Sequence, residues 1–206
     1  MKGVDLMKNA IERLVSEKLD KIGSEVEQTH QAIHRLISTI EDKTFMRPQF
    51  VESSPAQRTF GTMVEKICTN ILESGSKRVE IYITGYFDQV LVDKLKRILV
   101  QKGKVKIISP ELSKSKADQT NLDALERMKK YGAEVRIHPM LHARIFYVSR
   151  DGHPWGAIIG SGDIKSDCFG GRHFDAGIWS NYPDIIESII DFFNRIWEDE
   201  GTKKLS

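Results

Sequence analysis

The sequence has 206 residues, of which 40% are hydrophobic and 29% charged, and its formal net charge is +2. These values are typical of a globular domain of ordinary size with an appendage, and they exclude a partner that is selected by bulk charge alone. No run of about 18 apolar residues predicts a membrane-spanning helix. The first residues do not resemble a signal peptide, because Lys8, Glu12 and Arg13 interrupt them. Cys68 and Cys168 show neither a disulfide framework nor a metal-ligand spacing, so we expect a cytoplasmic protein without membrane insertion.

Residues 5–43 form one long helical pattern without proline. Apolar residues recur along it at spacings of 4, 3, 4, 7, 4 and 3, with Thr29 at the skipped position: Val15, Leu19, Ile22, Val26, Ile33, Ile37 and Ile40. The narrow stripe on so long a helix favours a partner helix, since a globular partner usually requires a wider apolar face. We predict a coiled-coil homodimer through residues 11–40; a helix packed on its own domain is the alternative.

The residues after this helix alternate between two periodicities. Pro48 and Pro55 interrupt the chain around residues 49–51, a candidate short strand. Helices are then predicted over 55–72, 89–101, 121–131 and 184–197, and strands over 78–84, 104–109 and 134–138. This order predicts an α/β domain with a mixed β-sheet flanked by helices on both faces. We divide the chain into a coiled-coil helix (1–43), a linker (44–54), the α/β domain (55–200) and a tail (201–206).

The residues that carry chemistry lie between positions 141 and 180. A predicted strand places His142 and Arg144 on one face, together with Phe146 and Val148. A turn follows at 150–154, and a second apolar run, 155–159, ends in the sequence Gly160-Ser161-Gly162-Asp163. The small residues of this glycine turn let a phosphate approach the backbone closely. A third short strand follows Asp175.

In order and approximate spacing, three segments resemble the pattern of the phospholipase D superfamily: His142-Ala143-Arg144, Gly160-Ser161-Gly162-Asp163 and the segment 173–178. The family pattern is His-x-Lys on a strand, then Gly-Ser-x-Asn after a hairpin, then a polar-x-acid pair. Arg144 stands where the family has lysine, and Asp163 stands where it has asparagine. Ser149 occupies the place of an expected acid, with Asp151 two residues further on. The resemblance covers about residues 55–200.

The resemblance implies a phosphodiesterase that needs no metal or cofactor and builds one active site from two chains. One histidine attacks phosphorus and forms a phosphohistidine, while the other protonates the leaving oxygen, and Asp175 accepts a hydrogen bond from an imidazole nitrogen. The candidate catalytic residues are His142, Arg144, Ser161, Asp163 and Asp175, and the candidate phosphate ligands are Arg144, Gly160, Ser161, Gly162 and the loop residue Arg172. Nucleic acid is favoured over lipid as substrate, because no membrane-binding segment is present.

The two substitutions at positions 144 and 163 support a second hypothesis. A guanidinium cannot be deprotonated and is larger than an ammonium, and Asp163 repels a phosphate unless it pairs with Arg144. We therefore expect these two side chains within salt-bridge reach. A degenerate domain behind a coiled coil also resembles the C-terminal part of TrmB-type transcriptional regulators, in which such a domain binds effectors and dimerises. That family carries a winged-helix domain before the coiled coil, for which this length leaves no room.

Two weaker candidates complete the set. A zinc site from His138, Cys168 and His173 lacks the paired spacing of such sites. A run of cations is expected to be a solvated face and is an alternative guide for nucleic acid: Lys94, Lys96, Arg97, Lys102, Lys104 and Lys106.

Overall fold

The computed structural model describes residues 16–33, 48–101, 103–113 and 115–205. The chain divides into two units, Met1–Phe45 and Met46–Ser206. In the first unit, residues 16–33 are helical and form α1. Its stripe residues are each more than half exposed within this chain: Leu19, Ile22, Val26 and Ile33. Thr29, at the skipped position, donates its hydroxyl to the carbonyl of Glu25 at 2.8 Å. The remaining stripe positions lie outside the described residues.

The second unit is an eight-stranded mixed sheet with helices on both faces, as the alternating periodicities predicted. The strands are β1 (Gln49–Ser53), β2 (Val79–Thr84), β3 (Lys104–Pro110), β4 (Glu134–His138), β5 (Arg144–Arg150), β6 (His153–Gly160), β7 (Asp175–Ser180) and β8 (Lys203–Lys204). The helices are α2 (Thr59–Glu73), α3 (Gln89–Val100), α4 (Lys116–Lys130), α5 (Ser166–Phe169) and α6 (Pro183–Glu198). The strand order is β1-β7-β6-β5-β2-β3-β4-β8, in which β2, β3 and β4 run parallel and every other neighbouring pair is antiparallel.

Four elements refine the boundaries read from the sequence. β1 lies within the stretch assigned to the linker and is the short strand suggested at 49–51; its central Val51 is buried. α4 starts five residues earlier than predicted, because the hydroxyl of Ser115 accepts the backbone N–H of Asp118 and caps the helix within a polar stretch. α5 and β8 are too short to produce a periodic pattern.

Helix α6 covers one face of the sheet. Ile186 and Ile189 join Ile145, Tyr147 and Ala157 of β5 and β6 in one buried cluster. Farther along the helix, Phe193 stacks on Tyr82 of β2 with 4.9 Å between ring centroids, and Trp197 stacks on Phe193 at 5.7 Å. The sequence predicted this amphipathic helix over 184–197. Of the apolar residues that define its predicted face, Ile189 and Phe193 are buried, whereas Ile185 and Phe192 are exposed.

The same face of the sheet continues beyond the helix. Phe50, Ile178 and Ile159 are opposite one another across β1, β7 and β6, and all three are exposed. They continue the row that starts at the buried Ile145 of β5. Helix α6 therefore covers the middle of the sheet and leaves its β1–β7 side open in this chain.

The strand order brings the predicted site residues to one end of the sheet. Because β5 is antiparallel to both β2 and β6, Ile145 is opposite Thr84, and Arg144 is opposite Gly160. Gly160 is in turn opposite Gly177 of β7. The beginning of β5 and β7 thus lies beside the ends of β2 and β6, where the glycine turn follows.

Candidate functional site

Arg144 and Asp163 form an ion pair at the end of β5. The guanidinium Nε lies against Oδ1 of Asp163, and the two side chains are 14% and 23% exposed. Nη1 of Arg144 donates to the backbone carbonyl of His142 at 3.1 Å. Nε is buried, and no acceptor among the described residues aligns with its N–H, so charge attraction dominates the contact. The expected pairing of these two substituted positions is confirmed.

Gly85 and Tyr86, at the end of β2, hold this ion pair in place. Gly85 has a φ of 139°, and a Cβ there would lie 2.8 Å from Cδ of Arg144 and 2.9 Å from Oδ1 of Asp163. The next residue, Tyr86, donates its backbone N–H to Oδ1 of Asp163 at 2.9 Å. Its ring centroid lies 5.2 Å from Cζ of Arg144, within cation–π range. Sequence reasoning missed both residues, although a glycine directly after a predicted strand was a usable signal.

Ser161 and Asp175 form a second internal pair. The Ser161 hydroxyl donates to Oδ1 of Asp175 at 3.0 Å and accepts the backbone N–H of Ala176 at 3.1 Å. The backbone N–H of Ser161 also donates to the carbonyl of Ala176 at 2.9 Å. In the described part of the chain Asp175 therefore has a hydroxyl partner, Ser161, and also contacts the thiol of Cys168, and its expected role as an acceptor from imidazole stays a prediction.

The two glycines of the turn have a packing role. A Cβ at Gly160 would lie 2.2 Å from the carbonyl oxygen of Ala176. A Cβ at Gly162 would lie 3.1 Å from both Sγ of Cys168 and the ring of Phe60. Close approach of β7 and α5 thus accounts for both glycines, and their contact with phosphate stays a prediction.

The two histidines of the motif are both accessible. His142 lies two residues before the start of β5, His173 lies two residues before the start of β7, and both side chains are exposed. Arg172 donates from Nη1 to Oδ1 of Asp167 at 2.9 Å, with its side chain 77% exposed. The structure thus brings together Arg144, Asp163 and Tyr86 in one group, and Ser161 and Asp175 in a second.

Asp151, which lies two residues beyond the place of the missing family acid, has a structural role. It adopts a φ of 50° in the hairpin between β5 and β6. Its Oδ1 accepts the backbone N–H groups of Lys77 at 3.0 Å and Arg78 at 3.1 Å. The carboxylate therefore accepts hydrogen bonds from two backbone N–H groups just before β2, at the opposite end of β5 from Arg144.

The residues considered for zinc have other partners. Nε2 of His138 contacts Oδ1 of Asp199 at 3.3 Å, and its Nδ1 accepts the backbone N–H of Met140 at 3.1 Å. Burial, followed by the negative charge of Asp175, raises the pKa of Cys168 to about 12. Within the described ranges, no group of three or more His, Cys, Asp or Glu side chains is placed to hold a metal ion.

The cations of the predicted basic run are divided among several contacts. Lys94 binds Glu65 at 2.6 Å, Lys96 lies 5.2 Å from the ring centroid of Tyr131, and Lys106 lies 4.9 Å from that of Trp197. Lys102 is outside the described residues. No helix in the described part of the chain has the length and apolar character needed to cross a membrane.

Comparison with known proteins identifies the class of this domain. Residues 67–197, more than half of the chain, match the family described as cardiolipin synthase, PLD-like domain. The chain belongs to this phospholipase D-like family, as the motif resemblance predicted. The search of curated proteins finds no match.

Solved structures share the fold at low sequence identity. Nuc, a phospholipase D family member from Salmonella typhimurium, matches 77% of this chain and 99% of its own at 13% identity and a TM-score of 0.57. NucT from Helicobacter pylori matches 77% of this chain and 100% of its own at 14% identity and a TM-score of 0.54. The archaeal chromatin protein TrmBL2 matches 95% of this chain and 69% of its own at 16% identity and a TM-score of 0.49.

Proposed function

We propose that this chain is a phosphodiesterase of the phospholipase D type, which works as a homodimer on nucleic acid. The observation that carries the proposal is that His142, whose side chain is exposed, is linked to Arg144: Nη1 of Arg144 donates to the backbone carbonyl of His142 at 3.1 Å. No described residue forms a hydrogen bond to Nη2 of Arg144, and this nitrogen is not buried. That edge of the guanidinium is available to a phosphate oxygen while Nε stays against Asp163.

The proposed reaction has two steps. An imidazole nitrogen of His142 attacks phosphorus, the P–N bond forms, and the bond from phosphorus to the leaving oxygen breaks. The leaving oxygen takes the electron pair and a proton from the imidazolium of the partner subunit's His142. Water then attacks phosphorus and gives a proton to the partner subunit's His142, while the P–N bond breaks and its electron pair returns to the imidazole of His142. Arg144 stabilises the negative charge that develops on the phosphoryl oxygens.

The homodimer in this proposal rests on α1. A helix with Leu19, Ile22, Val26 and Ile33 more than half exposed along one stripe gains stability by burying that stripe against a second copy. We extend the coiled coil to the whole predicted segment 11–40 and keep the predicted division into helix, linker, α/β domain and tail. The predicted cytoplasmic location belongs to the same proposal.

Cleavage assays with single variants test the proposed chemistry. Wild type is expected to cleave bis(p-nitrophenyl) phosphate or single-stranded DNA equally in EDTA and in magnesium, since both reacting groups are imidazoles. His142→Ala abolishes cleavage, whereas His153→Ala, at an exposed histidine at the start of β6, leaves it unchanged. Arg144→Lys restores the family residue and tests how well arginine replaces lysine. Absence of cleavage by pure wild type would remove the enzyme proposal.

A second candidate function is supported by the internal pairing of the site. Arg144 is paired with Asp163, Arg172 with Asp167, and Ser161 with Asp175, so three candidate groups already have protein partners. Such a site suits a catalytically silent dimer that binds an effector, as proposed for TrmB-type modules. The expected result is a rise in melting temperature with phosphate or a nucleotide, but no turnover. A lack of both stabilisation and cleavage would contradict this candidate as well.

A further inference from the structure

Lys165 lies in the chain segment that joins β6 to β7, and among the described residues it has no salt-bridge partner. The other permanent cation of this segment, Arg172, is bound by Asp167 at 2.9 Å. In contrast, no carboxylate of the described residues forms a salt bridge with Lys165. Its Nζ lies 4.5 Å from the centroid of the Tyr86 ring, and its side chain is half-buried.

The position of Tyr86 places Lys165 at the rim of the candidate site. The same ring lies 5.2 Å from Cζ of Arg144, and the backbone N–H of Tyr86 binds Asp163 at 2.9 Å. The backbone N–H of Lys165 donates to the carbonyl of Asp163, also at 2.9 Å. Lys165 is therefore fixed to the residue that pairs with Arg144, and its ammonium contacts the ring that packs on that pair.

Asp118, near the start of α4, is an acid on which the charge of Lys165 acts. Hydrogen bonds from Ser113 and then Ser115 lower the pKa of Asp118, and the charge of Lys165 makes the smallest contribution. Asp118 already accepts from the Ser115 hydroxyl at 2.8 Å and forms no ion pair with Lys165. The positive charge of Lys165 is thus not offset by a direct partner within the described part of the chain.

We propose that Lys165 binds a phosphate group of the substrate, a role that rests on the function proposed above. The charge of Arg144 is offset by Asp163, whereas no salt bridge of the described residues offsets Lys165, so the ammonium of Lys165 is the cation of this end of the sheet that can pair with an anionic substrate. A lysine suits this role because its flexible stem lets the ammonium move from the Tyr86 ring to a phosphate oxygen. The shared ring then keeps the ammonium close to the site before the substrate arrives.

The salt dependence of oligonucleotide binding tests this proposal. Single-stranded DNA with a fluorescent label is titrated with full-length wild type, Lys165→Ala, Lys165→Arg and Lys77→Ala between 50 and 200 mM salt. Lys165→Ala should lose one phosphate contact. The plot of log affinity against log salt should then be less steep by about 0.7, and binding should be roughly 5- to 10-fold weaker at the lowest salt. Lys165→Arg should keep the wild-type slope. Lys77→Ala is the matched control, because Lys77 is exposed and precedes β2 at the opposite end of that strand.

The outcomes separate the two proposals. Binding by wild type with an unchanged slope in Lys165→Ala overturns the role of Lys165 and leaves the proposed function in place. An equal change of the slope in Lys165→Ala and Lys77→Ala also overturns the role of Lys165, because removal of any surface cation would then have the same effect on binding. No binding by wild type in this salt range overturns the role of Lys165 together with nucleic acid as the substrate. Circular dichroism and the melting temperature verify that each variant is folded.

Discussion

Oδ1 of Asn121 accepts the backbone N–H of Phe87 across 2.7 Å, inside a core where both residues are completely buried. Nδ2 of the same side chain donates to the hydroxyl of Ser109 at 2.9 Å. Phe87 directly follows Tyr86, whose ring contacts Arg144 and Lys165. The hydrogen bond from Asn121 of α4 therefore anchors the loop that carries this ring. Asn121 of α4 is thus a structural support of the candidate site.

Replacement of Asn121 by alanine should therefore lower the stability of the folded domain. The buried N–H of Phe87 loses its acceptor, and such a loss costs about 1–3 kcal/mol. We expect urea unfolding of Asn121→Ala to show a free energy of unfolding about 2 kcal/mol lower than that of wild type. Asn194→Ala, at an exposed position of α6, is the control and should change it by less than about 0.5 kcal/mol. Similar values for the two variants would contradict the proposed anchor.

Alanine at position 85 should separate Arg144 from Asp163. The new Cβ meets Cδ of Arg144 at 2.8 Å and Oδ1 of Asp163 at 2.9 Å, in a backbone conformation with φ of 139°. Gly132→Ala is a matched control, because Gly132 also has a positive φ, 101°, but nothing lies within 4 Å of its added Cβ. The free energy of unfolding of this control should fall by about 1–2 kcal/mol from backbone strain alone. Gly85→Ala should lose more in the same urea titration, and equal losses would show that the ion pair adapts without cost.

Asparagine at position 163 restores the family residue and removes the counter-charge of Arg144. Because the guanidinium is mostly buried, we expect a loss of about 1–3 kcal/mol, below the full cost of an unpaired buried charge. Phosphate in the buffer should recover part of this loss in thermal melts, since it can take the place of the carboxylate. Asp167→Asn breaks the exposed pair with Arg172 and should cost less than about 1 kcal/mol. A more stable Asp163→Asn variant without phosphate would contradict this account of the pair.

Glu80 should contribute to the loss of stability in acid. Burial alone would raise its pKa, but hydrogen bonds from Arg78 at 2.7 Å and Tyr82 at 2.9 Å outweigh that effect and hold the pKa below the ordinary 4.5. A depressed pKa in the folded state stabilises the protein above pH 4.5, and this stabilisation is lost as the pH falls through the folded-state pKa. Glu80→Gln should therefore lose less stability than wild type between pH 6 and pH 3. Glu126→Gln, exposed on α4, should follow the wild-type curve.

The apolar stripe of α1 should determine the oligomeric state. Ile22→Asp with Val26→Asp places two charges on the stripe and should convert a dimer into a monomer in light scattering at micromolar concentration. Ser24→Asp with Gln28→Asp has the same spacing and the same added charge, but lies off the stripe, and should remain a dimer. A monomeric wild type at that concentration would contradict the homodimer and, with it, an active site built from two chains.

The regular elements were predictable because their side chains repeat. The alternation of buried Ile81 and Ile83 in β2, and the buried Ile186, Ile189 and Phe193 of α6, come directly from periods of two and of three to four residues. α5 has four residues, too few for any period, and its cap depends on Ser166 donating its backbone N–H to Asp88 at 2.7 Å. That contact joins two distant parts of the chain, which local patterns do not encode.

The ion pair of the candidate site was predictable from the sequence, whereas the residues that pack against this pair were not. The pairing of Arg144 with Asp163 follows from two substitutions that make sense only together. Gly85 and Tyr86 follow a different strand, β2, and their approach to this pair depends on the antiparallel placement of β5 beside β2. The uncompensated charge of Lys165 could not be read from the sequence either, since nearby acids such as Asp163 and Asp167 bind other cations in the folded chain.

Strand β1 has a consequence for how mechanical load reaches the candidate site. It is an edge strand bound to β7 alone, with Ser53 opposite Asp175, and it is the first strand of the unit that begins at Met46. A slip of one residue would expose the buried Val51 and turn the exposed Phe50 inward, so only one register is stable. Load applied to the chain from its N-terminal side therefore first meets the ladder at Gln49, which is opposite Trp179, and Asp175 is opposite Ser53, the last residue of β1.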